Sequence, residues 1–142
     1  MKKRLGWILL SFIFLFPLML WAEEKVEVVT PEKIEVKSDI YYPVPNVPVL
    51  SDLNYQPGES ALLKTGSYLT GILVFKGNYN ASSLVEFYRV QMKSLGWQEI
   101  GSFTSKVNFL AFKRPEGQAF INIKEGFFQT DLRIIVFLTG VK

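Results

Sequence analysis

Apolar positions along the chain follow three different rules. From Leu5 to Trp21 they run almost unbroken, leaving no polar side for water. From Glu23 to Lys37 charges alternate with Val and Ile, and a proline-rich strip follows, Tyr41-Tyr42-Pro43-Val44-Pro45-Asn46-Val47-Pro48-Val49. From Ser51 onward the apolar residues recur with periods near 2 and 3.6, the signatures of strand and helix.

The third region predicts most of the fold. Tyr68 to Lys76 alternates and is rich in β-formers, so it reads as a strand; Ala61-Leu62-Leu63 reads as a shorter one or the approach to one. Gly77-Asn78-Tyr79-Asn80 breaks the pattern. Leu84, Tyr88, Met92 and Leu95 then recur at helical spacing, which predicts an amphipathic helix over 81–95. Asn80 or a following Ser caps it, with Ser83 and Glu86 at capping-box spacing. Gly96 stops it where a left-handed residue is wanted. Strands follow at Trp97–Thr104, Val107–Lys113, Gln118–Lys124 and Asp131–Leu138, joined by short turns that force antiparallel neighbours. The expected fold class is α+β: one helix on an antiparallel sheet of about four to five strands, in β-α-β-β-β order, over 51–142.

Two of these strands are apolar on both faces. In Asp131–Leu138, Leu132, Ile134, Val136 and Leu138 share one face, and Ile135 and Phe137 join Arg133 on the other. In Val107–Lys113, Leu110 and Phe112 stand opposite Val107, Phe109 and Ala111. A sheet with one solvated face alternates more cleanly, and one helix covers one face. The second face therefore calls for the Pro-rich strip, a second copy or another protein. Phe112 and Phe137 are candidate contact residues on this ground. Phe127 and Phe128, beside Gly126 in an expected hairpin, are two more, because adjacent strand residues point to opposite faces. Their functional reading is a membrane-touching or partner-binding loop; the plainer one is a broad hairpin folded back on the core.

The first two regions predict targeting and spacing. Lys2-Lys3-Arg4, the apolar run, Pro17, Ala22 and Glu23-Glu24 have the layout of a secretory signal over 1–22. The run of about 17 residues is also close to the length of a membrane anchor. The expected location is periplasmic or secreted, with an inner-membrane anchor at 5–21 as the alternative. Residues 23–50 read as a Pro-rich tether, a strip packed on the domain's own sheet, or a partner motif; their prolines exclude a helix.

Charge and composition then remove function classes. The 142-residue chain has 16 Lys+Arg against 13 Asp+Glu, and setting aside Lys2, Lys3 and Arg4 leaves the counts equal. The basic balance thus reflects the targeting signal, and no nucleic-acid partner is expected. Over 101–142 the bases Lys106, Lys113, Arg114, Lys124, Arg133 and Lys142 outnumber Glu116, Glu125 and Asp131, which leans toward an anionic lipid or glycan or, more plainly, a lysine-protected sheet edge. There is no Cys and no His, which removes disulfides, a lipid-bearing Cys and the usual zinc, copper and haem ligands, so neither metal nor cofactor is expected.

Catalytic chemistry finds little purchase. Ser60, Ser67, Ser82, Ser83 and Ser102 have no histidine base and no Ser-x-x-Lys partner, and read as turn or cap hydroxyls. Glu86, Glu99, Glu116, Glu125 and Asp131 are scattered along the chain. Gly77-Asn78-Tyr79-Asn80 sits where a phosphate cradle belongs but has one Gly and no following Lys or Thr. Asn80-Ala81-Ser82 matches a glycosylation acceptor and equally a helix cap.

The strand ending in LVFKG and the following NASSLVEFYRVQMKSLGW resemble a recurring small bacterial envelope domain, found in uncharacterised secreted proteins and lipoproteins with an FYxxxMxxxGW signature. The resemblance covers roughly 55–142, rests on packing residues and a helix cap, and carries no catalytic residues. This chain departs from the lipoprotein members in lacking the anchoring Cys. The expectation is an exported, non-enzymatic interaction or assembly module with another envelope protein or itself as partner. The alternative is a small domain binding a lipid or other hydrophobic ligand between helix and sheet.

Overall fold

The computed structural model describes residues 39–142. The expected signal or anchor and the first part of the tether lie outside the described residues. Among the described residues there are nine strands and one α-helix: β1 Ile40–Val44, β2 Val47–Leu50, β3 Asn54–Tyr55, β4 Ala61–Thr65, β5 Tyr68–Gly77, α1 Ala81–Ser94, β6 Gln98–Thr104, β7 Asn108–Arg114, β8 Gly117–Glu125 and β9 Thr130–Leu138. β1 and β2 pair as a separate hairpin. The other seven form one antiparallel sheet, in which β5, β9, β8, β7 and β6 lie side by side and β3 and β4 share the outer edge of β5.

This corrects the expected fold class. The described residues are mostly sheet, with seven strands in the main sheet and two more beside it, and not one helix on four to five strands. The extra strands are short or proline-bearing. β3 has two residues, and β4 is exposed along its whole length, so neither displays a buried face in the sequence pattern. β1 and β2 contain Pro43 and Pro48, which a two-stranded hairpin tolerates because each strand has a free edge. Asn46 takes the left-handed conformation, φ 61°, that their tight turn needs.

The order of strands explains where the helix lies. β5 and β6 run parallel and occupy distant places in the sheet, so the chain between them must cross one face. α1 is that crossing. Asn80 caps it by accepting the Ser83 amide at 2.8 Å. At its other end Gly96 adopts φ 86°, and the amides of Gly96 and Trp97 donate back to the carbonyls of Lys93 and Met92. Leu84, Phe87, Tyr88 and Met92 turn inward.

Residues 40–50 belong to the same packed unit. Val44, Val47, Val49 and Leu50 are buried in one core with the inward side of α1, and the Trp97 indole donates to the Asn46 carbonyl at 2.7 Å. The sheet supplies Leu73, Phe75, Leu110, Phe112, Ile121, Ile134 and their neighbours on the same face. Helix and hairpin thus cover one and the same side of the sheet.

That core holds one unsatisfied group. Tyr88 is fully buried, and among the described residues its hydroxyl has no hydrogen-bond partner. Burial pushes its phenol far above the ordinary range, with Tyr41 adding to the shift. An unpaired buried hydroxyl costs stability, whereas the ring contributes through packing and an edge contact with Phe87 at 5.0 Å. Tyr88→Phe should therefore raise stability by about 1 kcal/mol in urea unfolding; a variant that unfolds at lower urea would show that the hydroxyl is paired.

Candidate functional site

The other face of the sheet carries the notable chemistry. Alternation along each strand sends half of the residues away from the helix, and the pairing registers place Phe103 opposite Phe109, Ala111 opposite Phe120, Phe120 opposite Ile135, and Ile135 opposite Ile72. Phe103, Phe109, Phe120 and Phe137 come from four adjacent strands. Phe103 stacks on Phe109 at 5.0 Å between centroids, Phe109 on Phe120 at 5.9 Å, and Phe120 meets Phe137 edge-on at 6.3 Å. The rings step diagonally from one edge strand to the middle of the sheet.

From Phe137 the apolar surface continues across β5 and β4. Ala61, Leu62, Leu63, Thr70, Gly71, Ile72, Ile135 and Phe137 line a shallow groove of about 340 Å³. Close backbone approach shapes its floor: a Cβ on Gly71 would lie 2.1 Å from the Ala61 carbonyl oxygen. Phe103 is 58% exposed, Phe137 52% and Leu63 62%, so much of this face is open; Val74, on the same face, is buried where residues 56–60 run beside β5.

Charges fringe the band unequally. Lys113, Arg133 and Lys124 share its face with Asp131, while Lys76 is held by Glu59 at 3.3 Å. The unpaired balance is positive.

The four residues singled out from the sequence meet different fates. Phe137 lies in the band. Phe112 does not: it is 1% exposed, on the helix side, and forms part of the core. β7 is apolar on both faces, so its alternation could not tell which face the helix would take. Phe127 and Phe128 sit at the tip of the β8–β9 hairpin, 93% and 86% exposed, packed edge-on against each other at 4.8 Å. This hairpin does not fold back on the core. Phe103, Phe109, Phe120, Ile72 and Leu63 were not singled out as contact residues. The signal for the first three was present, since short turns fix cross-strand registers and bring the phenylalanines together.

Several of the polar candidates have structural partners. Ser60 donates to the Gln56 carbonyl at 2.7 Å and accepts the Val74 amide at 2.9 Å. Ser102 accepts from Arg89, which also pairs with Glu99 at 3.2 Å. A second groove of about 390 Å³ is lined by Asn46, Trp97, Arg114, Glu116 and residues 138–142. Its guanidinium is already engaged by Glu116 at 2.9 Å and the Leu95 carbonyl, and lies 5.7 Å from the centre of the Trp97 ring. The same contact holds the Glu116 carboxyl below its usual range. Among the described residues no three acidic side chains gather as a metal site, and no helix is long and apolar enough to cross a membrane. No family model, curated protein or solved structure matches the chain.

The two faces should respond differently to truncation. Phe112→Ala should cost about 3–5 kcal/mol of stability, and Phe137→Ala about 1 kcal/mol or less. Paired denaturation curves check this, and similar losses for the two would mean that the outer face is covered.

Proposed function

We propose that this chain is an exported, non-catalytic interaction module of the cell envelope, and that its open sheet face binds another envelope protein presenting an apolar strip edged with carboxylates. The observation that carries the reading is the partly exposed four-phenylalanine band and the groove that prolongs it. Contiguous apolar surface on this scale favours association. Neighbouring strands lie about 4.8 Å apart, so the face is roughly 25 Å wide, a dimension suited to an interface of about 800 Å² per partner. The layout of residues 1–22 supports the export part of the proposal.

Charge favours a different protein over a second copy. Packing the face on itself would set two positively fringed surfaces against each other, whereas an acid-edged partner would pair Lys113 and Arg133. The hydrophobic-ligand alternative gains less support, because large side chains such as Phe75, Tyr88, Met92 and Phe112 fill the space between helix and sheet.

A photoreactive phenylalanine analogue at Phe137 in the full chain, irradiated in cells, tests the proposal. The expected outcome is one cross-linked partner, joined through an acidic peptide, and lost when Lys113→Glu and Arg133→Glu reverse the fringe without changing the melting temperature. A cross-link only to another copy of the chain would replace the partner with self-association. An adduct indifferent to charge reversal would reject the recognition described here.

A further inference from the structure

The hairpin tip offers a second surface, independent of the open face. β8 and β9 remain paired up to Glu125 and Thr130, and the turn beyond is closed by the Gly126 amide donating to the Gln129 carbonyl at 2.8 Å. A Cβ on residue 126 would lie 2.5 Å from that carbonyl oxygen, so the tight turn needs its glycine. The base is fastened as well: Thr130 is 2% exposed, and its hydroxyl donates to the Tyr79 carbonyl. A firmly built protrusion thus holds two adjacent phenylalanine rings almost wholly in solvent. Each ring touches the other and little else.

We propose that Phe127 and Phe128 form a lipid-inserting tip that seats the domain on a bilayer surface. Area separates this occupant from a protein. Two phenylalanines offer about 300–500 Å² in total, short of the roughly 800 Å² that a specific protein interface takes from each side. A bilayer needs no matching partner surface, and a narrow convex tip can bury both rings among lipid chains while its backbone stays at the polar boundary. Burial of each ring should strengthen binding by at least about tenfold.

Charge determines which lipids should serve. Lys124 stands opposite Asp131, Glu125 adjoins the turn, and Lys106 occupies the neighbouring β6–β7 turn, so the surroundings are close to neutral. Insertion is therefore driven by the rings and takes place on phosphatidylcholine without anionic lipid. It also persists in high salt, unlike attraction through a basic patch.

The test uses the full chain, because its own lack of cysteine allows one site to be labelled at a time. An environment-sensitive fluorophore is attached at Gln129→Cys, beside the intact rings, or at Ser67→Cys in the β4–β5 turn. The two positions are separated by the length of β5, roughly 30 Å at strand rise. With phosphatidylcholine vesicles, the Gln129 label should brighten several-fold and be quenched by a lipid-borne quencher, while the Ser67 label stays water-like. Adding Phe127→Ser and Phe128→Ser should reduce insertion at Gln129 by about a hundredfold. A Gln129 label that stays in water overturns the proposal. So does a signal that survives loss of both rings, because the apolar N-terminal run would then account for the binding. Neither result bears on the cross-link from Phe137.

Discussion

Packing of α1 and the β1–β2 hairpin against one side of the sheet is the contact on which the rest depends. It buries Leu73, Phe75, Leu110, Phe112, Ile121 and Ile134 with Tyr88, Met92 and Trp97. Because both covering elements lie on that side, much of the opposite side is left open. The strands that stabilise the core also carry Phe109, Phe120, Ile135 and Phe137 outward. A cover made of one helix and one short hairpin fixes which residues become core and which become surface.

Much of the fold was legible in the sequence. Helical spacing of Leu84, Tyr88 and Met92, the Asn80 cap and the Gly96 stop located α1 closely, and alternation with short turns located β6 to β9. The early strands were less legible. Ala61-Leu62-Leu63 reads as a short strand or the approach to one, but an edge strand exposed throughout has no inward face to fix its place; a two-residue strand has no period, and the prolines of residues 43–48 point to extended chain without naming its partner. The strands beyond the expected four to five all lie before β5.

The candidate surface was legible as a property of the sheet, and less so residue by residue. Two-sided hydrophobicity in β7 and β9 implied a second apolar face. Which side of β7 would be covered depends on where the helix docks, and docking is a tertiary event that no local pattern records. Phe112 and Phe109 look alike in sequence and differ only through that choice. Phe127 and Phe128 are another case: adjacency on a strand sends two rings to opposite faces, but at a four-residue turn both remain in solvent.

The place of β9 has a consequence for how the protein assembles. It lies between β5 and β8, and its pairing with β5 joins Leu69 to Leu138, positions far apart along the chain. Long-range pairings of this kind raise contact order and slow folding, because loop-closure entropy is lost before the strand contacts form. Until residues 130–138 have left the ribosome, β5 has no inner neighbour and the core cannot close. A nascent chain of this topology stays incompletely folded until late, which gives it time to meet a chaperone.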